Sequence, residues 1–260
     1  MLGFRSPAGH DSPRFQRVKI GVITGTGTYE LPGLAAEGIE VVHLSRHEPG
    51  HQRLSNHVGH RANIRFLRDQ GVDAIVAVTV CGAVDPTVPL GSLIVFDDLH
   101  FLANRFADGS ICTLHETPGD AERGHWIYEG PFAEGVRQAL LAGSRAADVP
   151  AREGGCYGHV DGPRFNTRAE IRSLALAGVT AVSQTAGPET VLAGEAEIPY
   201  ALLGYATDYA NGVTEEPTPV DELVRLIGAS GATFSAVLAE ALPLLADANL
   251  APPGTIYRFE

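Results

Sequence analysis

Apolar positions run without interruption through Ala74 to Val80 (AIVAVTV), which predicts a strand buried on both faces. Shorter apolar runs at Lys19 to Thr24 and Ile39 to Leu44, each closed by turn residues, predict two more strands. Between them and the buried run, His60 to Gln70 carries Ala62, Ile64 and Leu67 on a helical period and closes on Gly71, as a helix with its terminal glycine does. The alternation continues. Gly91 to Asp97, Val179 to Ser183 and Pro199 to Thr207 read as strands. Phe132 to Ala147, Thr167 to Ala177 and Pro188 to Glu197 read as helices, and so does the Ala/Leu/Val-rich stretch from Pro219 to Leu242. Strands alternating with helices predict an α/β fold. No linker, repeat or low-complexity block divides the chain, so the reading is one domain over 19–260, preceded by a disordered or extended segment over 1–18.

Composition narrows the function. The chain has 260 residues, and 44% hydrophobic content is enough for a substantial core. Its formal charge of -12 is spread along the chain without a Lys/Arg block, which argues against a nucleic-acid partner. No run of eighteen apolar residues occurs, and the polar start Met1 to Lys19 lacks the apolar stretch of a signal peptide, so no membrane partner is expected. Cys81, Cys112 and Cys156 are odd in number and form no C-x-x-C pair, which suggests neither a disulfide framework nor a cysteine zinc site. A reducing cytoplasm is the simplest home.

Candidate chemistry lies where the strands end, since ligands of open α/β sheets bind beyond the carboxyl ends of strands. Thr24-Gly25-Thr26-Gly27-Thr28 is either an anion-binding turn of backbone N–H and hydroxyl donors or a simple glycine turn, and it matches G-x-G-x-x-G only in part. Ser45-Arg46-His47-Glu48-Pro49-Gly50-His51 supplies a planar cation suited to phosphate and two imidazoles. Pro49-Gly50 between His47 and His51 argues against a helical metal pair, so no metal is expected. Asp208 follows a long apolar run. It is either a buried carboxyl with a raised pKa or a turn cap. In Asp161 to Glu170 a Gly-Pro turn leads into a T-x-x-E capping box at Thr167 and Glu170, with Phe165 as either a stacking face or a staple under the helix, beside the amide of Asn166. Gln184-Thr185 adds an amide and a hydroxyl.

Together, T-G-T-G, S-R-H-x-x-x-H, V-T-V-C-G, G-P-R-F-x-T-R-A-E, T-A-G-P-E-x-V-L-A-x-E and T-D-Y resemble the trimeric nucleoside phosphorylases, specifically the methylthioadenosine phosphorylase branch, over Ile20 to Leu242. The resemblance implies a central mixed β-sheet flanked by helices, phosphate as cosubstrate with no cofactor, a purine nucleoside as the other partner, and a homotrimer or dimer of trimers. By position it implies that Thr26, Arg46, His47, Thr79, Val80 and Thr185 hold phosphate. Phe165 would stack on the base, Asn166 lie at its edge, Asp208 engage N7 as the catalytic group, and His125 reach the 5′ substituent across a subunit boundary.

This chain departs from that family at two places that bear on the substrate. The adenine-specific branch has T-D-Y-D, and here Ala210 replaces the second carboxylate. The hypoxanthine/guanine branch commonly has asparagine where Asp208 stands, so the chain lies between the two. Gln184 stands where the family has a methionine against the ribose, and its amide is expected to offer hydrogen bonds to a sugar hydroxyl or 5′ group. The expected reaction is phosphorolysis of a methylthioadenosine-like nucleoside. The alternatives are a 6-oxopurine or methylthioinosine phosphorylase, or a nucleoside-binding homologue of little turnover.

Overall fold

The computed structural model describes residues 17–31, 34 and 36–258. The extended segment expected over 1–18 falls outside them except for Arg17 and Val18, and Val18 already begins the first strand. The strands are β1 (Val18–Thr24), β2 (Ile39–Ser45), β3 (Ala74–Ala83), β4 (Leu93–Val95), β5 (Asp98–His100), β6 (Gly124–Ile127), β7 (Ala151–Glu153), β8 (Cys156–His159), β9 (Val179–Ser183), β10 (Tyr200–Tyr209) and β11 (Thr255–Arg258). The helices are α1 (His60–Asp69), α2 (Glu134–Ala146), α3 (Arg168–Leu176), α4 (Ala186–Glu195) and α5 (Val220–Leu244). Among the described residues nine strands form one mixed sheet, while β6 and β11 pair separately.

The sheet branches at β3. One edge of this strand pairs with β10 along its whole length, from Tyr200 beside Ile75 to Tyr209 beside Ala83. On the other edge, pairing with β1 ends at Ala77 and antiparallel pairing with β9 begins at Gly82. Val78 to Cys81 therefore border an opening in the sheet, and side chains from other elements supply the partners that a strand would give.

Burial explains the elements. Residues 74–79 of β3 are buried on both faces, as the unbroken apolar run requires. His60, Ile64 and Leu67 face α1 inward on a helical period. The α4 helix is buried almost all round and begins at Ala186, two residues ahead of the expected Pro188. The α5 helix is long and apolar enough to cross a membrane by length and composition, although it holds no unbroken run of eighteen apolar residues. Leu226, Phe234, Val237, Leu238 and Leu242 instead bury it in the core on one face of the sheet, and at Gly143 the α2 helix passes so close that a Cβ would lie 2.6 Å from that of Ala241. Two expectations shift at their ends: the strand over Gly91 to Asp97 is confined to β4, and β10 runs on past Thr207 to include Asp208 and Tyr209.

Candidate active site

A cavity of about 250 Å³ lies at the opening beside β3. Its walls come from the turn after β1, the segment after β2, β3 itself, the ends of β9 and β10, the first turns of α5 and the residues before α3. Of the residues expected to act, Thr26, Arg46, His47, Thr79, Val80, Thr185, Phe165, Asn166, Gln184, Asp208 and Ala210 all line it. His125 does not. It sits in β6, opposite Tyr257 of β11.

Arg46 is fully buried, and its fork is already occupied: Nε and Nη2 donate to the two oxygens of buried Glu189 at 2.7 and 2.9 Å, and Nη1 donates to Val78 O at 2.7 Å. Burial pulls the guanidinium pKa down, but the charge and hydrogen bonds of Glu189 outweigh it and hold the pKa above its ordinary value. The bidentate grip expected on phosphate is thus spent on Glu189. With three of five N–H donors engaged, two remain for an anion. Sequence reasoning gave Glu189 no role, although it lies four residues after Thr185 inside a quoted motif.

The glycine turn exists to let this arginine in. A Cβ on Gly25 would stand 2.4 Å from Arg46 Nη1, and Gly27 has φ of 77° with Ile227 O 2.8 Å from where its Cβ would be. Thr28 closes the turn, its Oγ1 accepting from Gly25 N and its own N–H donating to Gly25 O, each at 3.0 Å.

His47 also reads differently in three dimensions. Its Nδ1 lies 2.8 Å from Arg53 O, and a carbonyl can only accept, so Nδ1 carries the proton. Burial first, then the charge of Arg46, lowers its pKa to about 4, and its ring stacks on His51 at 4.4 Å between centroids. At neutral pH His47 therefore offers an acceptor at Nε2 to the cavity. Among the described residues no group of three or more His, Cys, Asp or Glu is arranged to hold a metal ion.

Asp208 owes its placement to a β-bulge. Ala206 pairs with Cys81 and Asp208 with Gly82, so Thr207 is an extra residue that turns the carboxylate toward the cavity. A Cβ on Gly82 would lie 3.1 Å from Asp208 Oδ2, so the glycine leaves the carboxylate unhindered. Burial raises the Asp208 pKa, opposed by the hydrogen bond from Thr207 Oγ1 at 2.9 Å. Ala210, buried beside it, adds no polar atom.

Phe165 is 61% exposed, which rules out the staple reading and leaves its ring at the cavity wall. The capping box forms as expected at Thr167 and Glu170. Gln184 departs from expectation: its Oε1 accepts from Ser55 Oγ at 2.9 Å and its Nε2 donates to Arg164 O at 3.2 Å, so its amide is engaged with protein at both ends. Sequence reasoning missed Leu54, Leu223 and Ile227 among the cavity's aliphatic side chains, although Leu223 and Ile227 share a face at i, i+4 of a helix it did predict.

Comparison with known proteins bears on this geometry. The family model described as Phosphorylase superfamily matches residues 38–243. The chain is 29% identical over 252 residues to the 6-oxopurine nucleoside phosphorylase of Pyrococcus furiosus, covering 87% of this chain and 93% of that one. It is 31% identical over 231 residues to the probable S-methyl-5'-thioinosine phosphorylase of Methanothermobacter thermautotrophicus, covering 80% and 78%. In three dimensions it superposes on the methylthioadenosine phosphorylase of Schistosoma mansoni in complex with adenine with a TM-score of 0.78 at 25% identity, over 89% of this chain and 93% of the other. The residues matched by the family model include Arg46, β3, Phe165 and the bulged Asp208. The chain belongs to the phosphorylase superfamily.

Proposed function

We propose that the chain cleaves a purine nucleoside by phosphorolysis. The observation that carries this reading is the use of β3 as a ruler: Arg46 is fixed on Val78 and Asp208 lies beside Gly82, four residues along the same strand. At about 3.3 Å per residue this is roughly 13 Å, a span suited to a phosphate, a pentose and the edge of a base laid end to end. A phosphate oxygen bonds to C1′ as the C1′–N9 bond breaks. The electron pair leaves with the purine, and the carboxyl of Asp208 gives its proton to N7. Phosphate is the cosubstrate, and the step calls on no cofactor.

The site's chemistry supports a methylthioadenosine-like substrate. When protonated, the carboxyl of Asp208 presents one donor and one acceptor, which complement N7 and a 6-amino group. A 6-oxo group would set its lone pairs against the acceptor oxygen. Leu54, Leu223 and Ile227 give the cavity an aliphatic side suited to an apolar 5′ substituent. A second reading, a 6-oxopurine or methylthioinosine substrate, is favoured by Ala210, which removes the other carboxylate from the base end. Specificity constants for methylthioadenosine, methylthioinosine, adenosine and inosine decide between them: the highest value for methylthioadenosine supports the first reading, and a higher value for either inosine overturns it.

The reading also assigns His125 to the cavity of a neighbouring copy in a homotrimer. The exposed Ile127, Tyr128 and Tyr257 around it give the β6–β11 pair an apolar surface for such a neighbour.

A further inference from the structure

The ring of Phe165 is more than half exposed, so little side-chain packing holds it. Its place depends on the backbone of its turn. The carbonyls on either side of it are each held by a side-chain amide from a different loop: Gln184 Nε2 donates to Arg164 O at 3.2 Å, and Asn211 Nδ2 donates to Asn166 O at 2.7 Å. Gln184 immediately precedes Thr185. Asn211 comes three residues after Asp208, just past the bulge. The two amides therefore reach the turn from the phosphate side and from the base-edge side of one cavity.

The Gln184 clamp is itself anchored. Ser55 Oγ donates to its Oε1, and a Cβ on Gly162 would lie 2.0 Å from that oxygen and 2.2 Å from Ser55 Oγ, so the turn's glycine is needed for the amide to cross it. On the outer side, Glu170 accepts from both Arg164 Nη atoms, from Thr167 N and from Asn166 Nδ2, and these partners draw its pKa down to about 2. The turn is thus tied to α3 from outside and to the two amides from inside.

We propose that Gln184 and Asn211 are positioning residues for the stacking ring. They hold Phe165 by its two flanking carbonyls, and neither amide is spent on the sugar or the base. This rests on reading the cavity as a nucleoside site. It also gives both residues a task that the chain's departures at Gln184 and Ala210 left open: Gln184 replaces packing by a backbone clamp, and Asn211 fixes the stacking turn rather than replacing the missing carboxylate.

The test uses Gln184→Met and Asn211→Ala in the full chain, with calorimetric binding of methylthioadenosine, methylthioinosine, adenine and hypoxanthine, and steady-state KM for nucleoside and phosphate. Each variant should weaken purine binding and raise nucleoside KM roughly two- to tenfold, the worth of one hydrogen bond, while phosphate KM stays at the wild-type value. A merely structural role would lower the thermal midpoint and the active fraction, hence kcat, and leave both KM values unmoved; that result overturns the proposal. Wild-type purine affinity in both variants overturns it as well. If the unaltered protein binds none of the four purines, the nucleoside reading falls and takes the clamp with it, which separates the two failures.

Discussion

Asp208 shows how far a residue's chemistry depends on its surroundings. Its carboxyl is raised in pKa because it is buried, is partly restrained by Thr207, and packs tightly against position 82, where a Cβ would approach it to 3.1 Å. Asp208→Asn keeps the shape but removes the acid. We expect kcat to fall by about 10² to 10⁴, the usual worth of a general acid, with little change in phosphate KM. Equal losses in kcat and phosphate affinity would contradict the assignment. At this scale the sequence pointed to residues that the fold gathers at the cavity, His125 apart, but not to their partners. Arg46 was legible as a candidate cation for an anion because a charge follows a strand, whereas its engagement with Glu189, 143 residues away, depends on tertiary geometry. The protonation of His47 was hidden for the same reason: it follows from the carbonyl of Arg53 and from burial.

Among the elements, the turn after β1 is where backbone and side chain are most tightly coupled. Gly25→Ala places a methyl group against Arg46 Nη1, and the guanidinium cannot yield without loosening its bonds to Val78 and Glu189. The expected outcome is a loss of about 1 to 3 kcal/mol of stability, as for other overpacked interiors, together with a higher phosphate KM. Denaturant titration and phosphate-dependent kinetics check both, and unchanged values in each would show that the turn does not support the arginine. The long elements were legible because burial writes a period into them: β3 and β10 are nearly unbroken apolar runs, and α1 and α5 carry helical stripes. The short strands β5, β6, β7, β8 and β11, three or four residues each, were not. Runs of that length hold at most two alternations, and their pairing partners lie far off in sequence: β5 on β8, β7 on β4 and β11 on β6. The bulge at Thr207 left no local mark either, because it exists only relative to β3.

For the molecule as a whole, the branched sheet leaves Val78 to Cys81 without a strand on one side, and two buried imidazoles close to the Arg46–Glu189 pair tie stability to pH. Burial drives the pKa of His47 and of His60 down to about 4, from an ordinary 6.5, so both are neutral in the folded chain. Between pH 6.5 and about 4 the unfolded chain binds protons that the folded chain refuses, so stability rises with pH across that window and is lost as pH falls through it. Each imidazole accounts for on the order of 3 kcal/mol of the change. Denaturant midpoints measured from pH 7 to pH 4 should fall steadily. Replacing His60 by an apolar residue should flatten the fall, and an identical slope in that variant would exclude His60 as a source. On the proposed function, one cavity takes an anion beside Arg46 and a base at Phe165 and Asp208, and joins them. The most direct measurement is purine release from methylthioadenosine by the purified protein, followed with and without inorganic phosphate. Release that requires phosphate and yields one pentose 1-phosphate for each base is the predicted result. Release at the same rate without phosphate, or none in its presence, would contradict it.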